Sequence, residues 1–373
     1  MAERQLMLSP EYFGVLWQWV SDDDITDVDF NGTDLWITDT AGRRTRIEEH
    51  GVTAEFVNAF SQRVANQVSK PFNKRDNLLE AETGTLRISI LHESAAVSGR
   101  TICLRKSLPK VRLTVRGILS DGYMPRPLMN LLANCMIAKM NVVIGGEPGA
   151  GKTEAAKFIT QFVPIDQRVI TIEDSPEWHY HEINPGHDCV EMRVNPEFDY
   201  ATAIKTCLRQ NPKWIMLSEA RSTEARYLIE SWSTGVNGVT TIHTDDIRKI
   251  PSRLLNMMSS REDADRLVND IYDFVHVTLL VRRRQMPDGT ARRYVDQAGF
   301  LLRDGDAREC RMIVRDGTLI DDRLPRDISS RMARAGIDRP FDSTVVDGLA
   351  DGHYRYPGLS TERTAPSVER GLA

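Results

Sequence analysis

The chain has 373 residues, 41% of them hydrophobic, with 48 basic against 53 acidic side chains and a net charge of −5. It is long enough for two domains and apolar enough for real cores, and the near balance of charge gives no global attraction to nucleic acid or an anionic membrane. Its five cysteines, Cys103, Cys135, Cys189, Cys207 and Cys310, include no C-x-x-C and suit buried thiols in a reducing cytosol better than a disulfide or zinc framework.

Residues 1–24 form a weakly specified lead ending in Asp22-Asp23-Asp24. No signal peptide is expected, because Met1 to Tyr12 has no basic region followed by an apolar one. No apolar run approaches the ~20 residues of a spanning helix. Asp34 to Thr38 and Arg43 to Ile47 read as a hairpin around Ala41-Gly42. Val52, Phe56, Phe60, Val64 and Val68 mark one face of a helix over 53–69. Arg87 to Leu91 and Thr101 to Arg105 alternate like strands, so 25–108 reads as a small α+β domain. Residues 109–125 hold Pro109, Gly117, Gly122 and Pro125 and read as a linker. A helix over 126–140 carries Leu128, Leu131, Leu132, Cys135 and Met136 on one side, with Pro127 in its first turn.

From there to about residue 300, short apolar strands alternate with helical stretches. The strands are 141–145, 168–172, 189–194, 213–218 and 238–242; the helices are 153–163, 200–210, 223–233 and 262–273. This is the pattern of an α/β domain with a mostly parallel sheet. Asp288-Gly289, Asp304-Gly305 and Asp316-Gly317 signal hairpins, giving a β-rich C-terminal appendage over 301–350. Residues 351–373 are expected to be disordered.

The strongest motif is Gly146-Glu147-Pro148-Gly149-Ala150-Gly151-Lys152-Thr153, which satisfies G-x-x-x-x-G-K-[ST] between an apolar strand and a helix start. Its glycines let backbone N–H groups converge on phosphate oxygens, at a helix N-terminus that favours anions. Lys152 would reach the β- and γ-phosphates, and Thr153 would place its hydroxyl on Mg²⁺. Three later segments fit the same chemistry. Glu173 and Asp174 follow the strand Thr171-Ile172 and could help hold Mg²⁺ or its waters. Glu219 follows Trp214 to Ser218 and could polarise the attacking water. His243 follows Thr240-Thr241-Ile242 and could hydrogen-bond a γ-phosphate. The candidate nucleotide contacts are thus Gly146, Pro148, Gly149, Ala150, Gly151, Lys152, Thr153, Glu154, Glu173 and Asp174, with Thr153 and Glu173 also as metal candidates.

The order Gly146–Thr153, Thr171–Glu177, Leu208–Arg221 and Thr234–His243 resembles the Walker A, Asp box, Walker B and His box of the traffic ATPases of type II and type IV secretion, pilus assembly and conjugation. Residues 28–38, 84–90 and 99–106 resemble that family's N-terminal domain. The resemblance implies a RecA-like P-loop NTPase domain after a smaller, PAS-like α+β domain. It implies ATP and Mg²⁺ as ligands and a homohexameric ring. It also implies an inner-membrane platform partner, and so a cytoplasmic protein peripheral to the membrane. Arg87, Arg100 and Arg105 match the family's arginines that reach the phosphates, giving a catalytic set with Lys152, Glu219 and His243. Arg193 and Arg209 match too, without an assigned role. Glu154, Lys213, Ser218 and Val236 depart from the family pattern and leave the turnover rate open. The zinc module of type II secretion ATPases is missing, so the Tad-pilus and conjugation branches remain, and the β-rich tail leans toward the former.

His179, His181, Glu182, His187 and Cys189 match no zinc spacing and read as a polar loop; Arg282 to Arg284 read as a solvated strand end. Two rival functions stay open beside the motor. A nucleic-acid translocase or helicase shares the core, but nucleic acid is not the expected partner, since no Lys/Arg-aromatic tract is present. A nucleotide-binding assembly subunit with little hydrolysis would fit the departures.

Overall fold

Ser9 caps the first helix by accepting from the Tyr12 N–H, with Pro10 in the first turn, where its missing N–H costs nothing. The computed structural model describes residues 8–258, 264–342 and 345–350; the tail at 351–373 and the first seven residues lie outside them. Helices α1 (Pro10–Phe13) and α2 (Trp17–Val20) follow, joined by a 3-10 turn. Phe13, Leu16 and Val20 are buried in one core with Phe60 and Val64. The segment expected as a weakly specified lead is therefore part of the N-terminal domain from residue 9 on. Its i, i+3, i+7 apolar spacing was the available signal.

Strands β1 (Ile25–Phe30), β2 (Leu35–Asp39), β3 (Arg44–Ile47), β4 (Leu78–Glu82), β5 (Leu86–Leu91) and β6 (Thr101–Lys106) form an antiparallel sheet in the order β3-β2-β1-β6-β5-β4. Helix α3 (Ala54–Gln67) is capped by Thr53 and buries Val57, Phe60, Val64 and Ala65. Alternation in the strands fixes which face each side chain takes. Leu86, Ile88, Ile90, Ile102 and Leu104 go into the core. Arg87 and Arg105, directly opposite one another in the β5–β6 register, go to the other face.

The segment read as a linker contains a capped helix, α4 (Val115–Ser120), in which the Thr114 hydroxyl accepts from Gly117 N–H. Helix α5 (Arg126–Ile137) is buried all round rather than on one side. Asn130 and Asn134 are the reason: their amides donate to the carbonyls of Phe341 and Pro340, so they satisfy the backbone of a distant segment instead of facing water.

The second sheet begins with β7 (Val142–Gly146), followed by α6 (Lys152–Thr160), β8 (Val169–Glu173), α7 (Tyr180–Ile183), β9 (Cys189–Arg193), α8 (Tyr200–Cys207), β10 (Trp214–Leu217), α9 (Glu224–Ser233) and β11 (Asn237–Ile242). Helices α10 (Ile250–Met257) and α11 (Ala264–Phe274) precede β12 (Val277–Gln285), β13 (Ala291–Asp304), β14 (Ala307–Arg315) and β15 (Thr318–Leu319); α12 (Arg326–Arg334) and α13 (Val345–Ala350) close the described chain. The nine strands run β15-β14-β13-β12-β7-β11-β10-β8-β9, parallel from β12 to β9 and antiparallel from β12 to β15. The three Asp-Gly pairs all turn hairpins here, but these strands continue the main sheet. Continuity through the β12–β7 pairing leaves no separate β appendage starting at 301. One face of the sheet packs on α5 and α6, with Leu132, Met136, Phe158 and Trp214; the other packs on α9, α10 and α11, with Leu228, Trp232, Leu254 and Ile271.

Candidate active site

Because β7, β8, β10 and β11 are parallel, their C-terminal ends share one edge of the sheet, where ligands bind in open α/β folds. Gly145 lies opposite Ile242, and Leu217 opposite both Thr240 and Ile172. The P-loop, Glu219 and His243 therefore emerge side by side. They open into a cleft of about 1030 Å³ whose other wall carries Thr40, Arg87 and Arg105 of the N-terminal domain.

The loop itself needs its glycines. Gly151 has φ +95° just before α6, and a Cβ on Gly146 would sit 2.6 Å from the Val281 carbonyl. The first-turn amides of α6 have no carbonyl one turn earlier to bond, which leaves donors for an anion. Lys152 is buried, and its ammonium donates to the carbonyls of Gly146 (3.2 Å) and Glu147 (3.3 Å). Burial pulls its pKa below the ordinary lysine range, against the opposing pull of Glu219 and Glu177.

His243 joins the two halves of the site. Its Nδ1 lies 3.1 Å from Lys152 Nζ and its Nε2 lies 2.5 Å from Glu219 Oε1. The same Nδ1 also lies 3.2 Å from the Gly146 carbonyl, so the ring sits directly against the base of the phosphate loop. Glu219 Oε2 accepts from Arg221 Nε at 2.7 Å, and Arg221 also reaches Asp174 at 2.8 Å.

The structure brings together Lys152, Thr153, Glu154, Asp174, Glu219, His243, Arg87 and Arg105, along with Pro148, Gly149 and Gly151. Ala150 is buried behind the loop and Gly146 sits at its base. Two expected residues are placed elsewhere. Glu173 is buried, its carboxylate accepting from the N–H groups of Trp178 and Glu177, and burial pushes its pKa up to about 8. Glu173 is not among the residues that line the cleft. Arg100 pairs through two nitrogens with Glu93 and stacks 5.1 Å over Phe72, away from the cleft.

Sequence reasoning missed the residue that takes the place of Glu173. Glu177 lines the cleft, with Oε2 3.5 Å from the Thr153 hydroxyl and Oε1 3.6 Å from Arg87. It closes the Thr171–Glu177 stretch that resembles the Asp box, the signal available in the sequence, but no role was assigned to it. Arg112, Arg283 and Arg293 also line the cleft. Arg283 was read as part of a solvated strand end, yet it bonds to Gly42 O, while Arg282 pairs with buried Asp296. In the loop after the acidic pair, His179 lies 2.8 Å from Ser107 O, and His187 faces Tyr180. Among the described residues no group of three or more His, Cys, Asp or Glu is arranged to hold a metal. A divalent ion at Thr153 would thus be held mainly by phosphate oxygens, as Mg²⁺ commonly is.

Parallel strands feeding a glycine loop, a lysine beneath it and a carboxylate opposite define a RecA-like P-loop nucleoside triphosphatase fold. Comparison with known proteins agrees. The family described as type II/IV secretion system protein matches residues 70–324, and the chain belongs to that family. An uncharacterized protein of Bacillus anthracis is 29% identical over 274 residues, covering 72% of this chain and 62% of that one. The type IV secretion system protein VirB11 of Brucella suis is 32% identical over 177 residues, 44% of this chain and 48% of VirB11. The chain thus spans less than two thirds of the length of these relatives. In fold it is similar to the Legionella pneumophila ATPase DotB (TM-score 0.55, 18% identity, 82% of this chain and 84% of that one). It is similar also to the pilus retraction motor PilT (TM-score 0.57, 14% identity, 78% and 83%). No helix among the described residues is long and apolar enough to cross a membrane.

Proposed function

We propose that this protein is a Mg-ATP-hydrolysing motor of a secretion, conjugation or pilus machine. The observation that carries the proposal is the contact line Lys152–His243–Glu219, which puts the phosphate-gripping ammonium and a candidate general base in one cleft. The residues present fit the nucleotide: a glycine loop that turns at positive φ into the helix, first-turn amides with no carbonyl one turn earlier, and an ammonium resting on neutral carbonyls. Bound Mg-ATP supplies the phosphoryl chemistry. Lys152 binds the β- and γ-oxygens, and Thr153, with Glu177 behind it, positions the ion. Glu219 orients water, and Arg87 and Arg105 bring positive charge from the other domain. His243, in contact with both Lys152 and Glu219, responds to the terminal phosphate.

Membership of the secretion family and the PilT-like and DotB-like folds support a homohexamer working beside an inner-membrane platform from the cytoplasmic side. Electron microscopy with a non-hydrolysable ATP analogue should show six-membered rings; monomers alone would refute that part.

A second reading has one observation in its favour. Glu219 Oε2 accepts from Arg221 Nε at 2.7 Å, and Oε1 lies 2.5 Å from His243 Nε2, so side chains crowd both oxygens where a water would have to sit. This fits an assembly subunit that binds nucleotide and hydrolyses little. Phosphate release separates the two. For the motor, Glu219→Gln lowers the wild-type rate by roughly 10²- to 10⁴-fold. Equal, near-zero rates in both proteins favour the second reading.

A further inference from the structure

Among the cleft's arginines with no part in the scheme above are Arg112, Arg283 and Arg293. Arg283 and Arg293 stand directly opposite one another in the β12–β13 register, and Arg112 lines the same wall. Like charges paired across a ladder are destabilising. Among the described residues none of the three is in an ion pair, and the nearby acid Glu154 is taken by Lys157 at 3.7 Å. Burial, Arg283 and Arg112 together pull the Arg293 pKa down.

The hydrogen bonds of the pair go to neutral carbonyls on two different bodies. Arg293 Nε donates to Gly149 O of the P-loop and Nη1 to Thr40 O, both at 3.3 Å. Arg283 Nη2 donates to Gly42 O at 3.0 Å. Beside them the Ala291 N–H donates to Ala41 O at 2.8 Å. The β2–β3 turn seats this closely because residue 42 is glycine at φ +78°; a Cβ there would sit 2.7 Å from Ala291 Cβ. Two mutually repelling guanidiniums, one already in hydrogen-bond contact with the phosphate loop, thus clasp the N-terminal domain through weak acceptors.

We propose that Arg283 and Arg293 are a second polyphosphate-binding element of the cleft, which takes anionic oxygens of the nucleotide and in doing so releases the Thr40–Gly42 turn. The physical reason is competition between acceptors. A guanidinium bond to phosphate is charge-assisted and roughly twice as strong as one to a neutral carbonyl. An anion between the two also removes the repulsion across the ladder. The hairpin β12–β13 then links nucleotide on the P-loop to the seating of the N-terminal domain. The proposal rests on nucleotide binding by this loop.

The test has two arms. Hydrogen exchange of the wild-type protein, with and without Mg-ATP, reads the turn 39–43 and the Ala291 amide; both should exchange faster with nucleotide. Titration of wild type, Arg283→Gln and Arg293→Gln with Mg-ATP and with adenosine reads the phosphate contact. Each variant should bind Mg-ATP roughly tenfold more weakly and adenosine as before. If wild type binds Mg-ATP, but the variants match it within about twofold and the turn stays protected, the arginine proposal fails alone. If wild type does not bind Mg-ATP, the nucleotide reading fails with it.

Discussion

Glu173 and Glu177 sit four residues apart in one acidic stretch and have opposite fates. Glu177 faces the cleft beside Thr153, whereas Glu173 is buried, and that burial raises its pKa to about 8. Since the folded value lies above the ordinary 4.5, the stability it contributes is fully present below pH 4.5 and is lost as pH rises through 8. Glu173→Gln keeps an acceptor for the Trp178 N–H and removes the ionisation. Relative to the variant, wild type should lose on the order of a few kcal/mol of stability across that window, measured by urea unfolding at several pH values. Parallel pH profiles would show that Glu173 does not titrate as described. At this scale the sequence revealed residue types but not directions. Lys152, Glu219 and His243 were legible because each ends a strand or opens a helix, so the backbone dictates where it points. Glu173 was not, because the last residue of a buried strand can face either the cleft or the core. Arg100 was misread because its partners, Glu93 and Phe72, are tertiary.

Elements were legible where local rules and tertiary packing agreed. The P-loop, the alternation that follows it and the three Asp-Gly turns combine period, glycine and turn chemistry, and each forms where those signals stand. Asp316 and Gly317 both have positive φ, as a two-residue hairpin turn demands. Elements were misjudged where the deciding contact is remote. Helix α5 reads as amphipathic because Asn130 and Asn134 are polar, yet their partners are carbonyls some two hundred residues later. Arg282 to Arg284 read as a solvated strand end, yet β12 pairs in parallel with β7, which carries the P-loop, and its hairpin partner β13 puts Arg293 against Gly149. No pattern in the sequence announces that proximity.

For the whole molecule, the consequence is a cleft with one wall from each domain. Short spans on both sides fasten the domains close to the chemistry. Ser107 and Leu108 are held by His179 and Lys157, and the β2–β3 turn is held by Ala291 and the arginine pair. A change at the phosphate loop therefore has two short mechanical routes to the N-terminal domain. All of this depends on a nucleotide entering at Lys152. Calorimetric titration of Mg-ATP into wild type and Lys152→Ala is the most direct test. The account predicts binding by wild type and roughly 10- to 100-fold weaker binding by the variant, the cost of losing one charge-assisted phosphate grip. Equal affinity in the two proteins would contradict it.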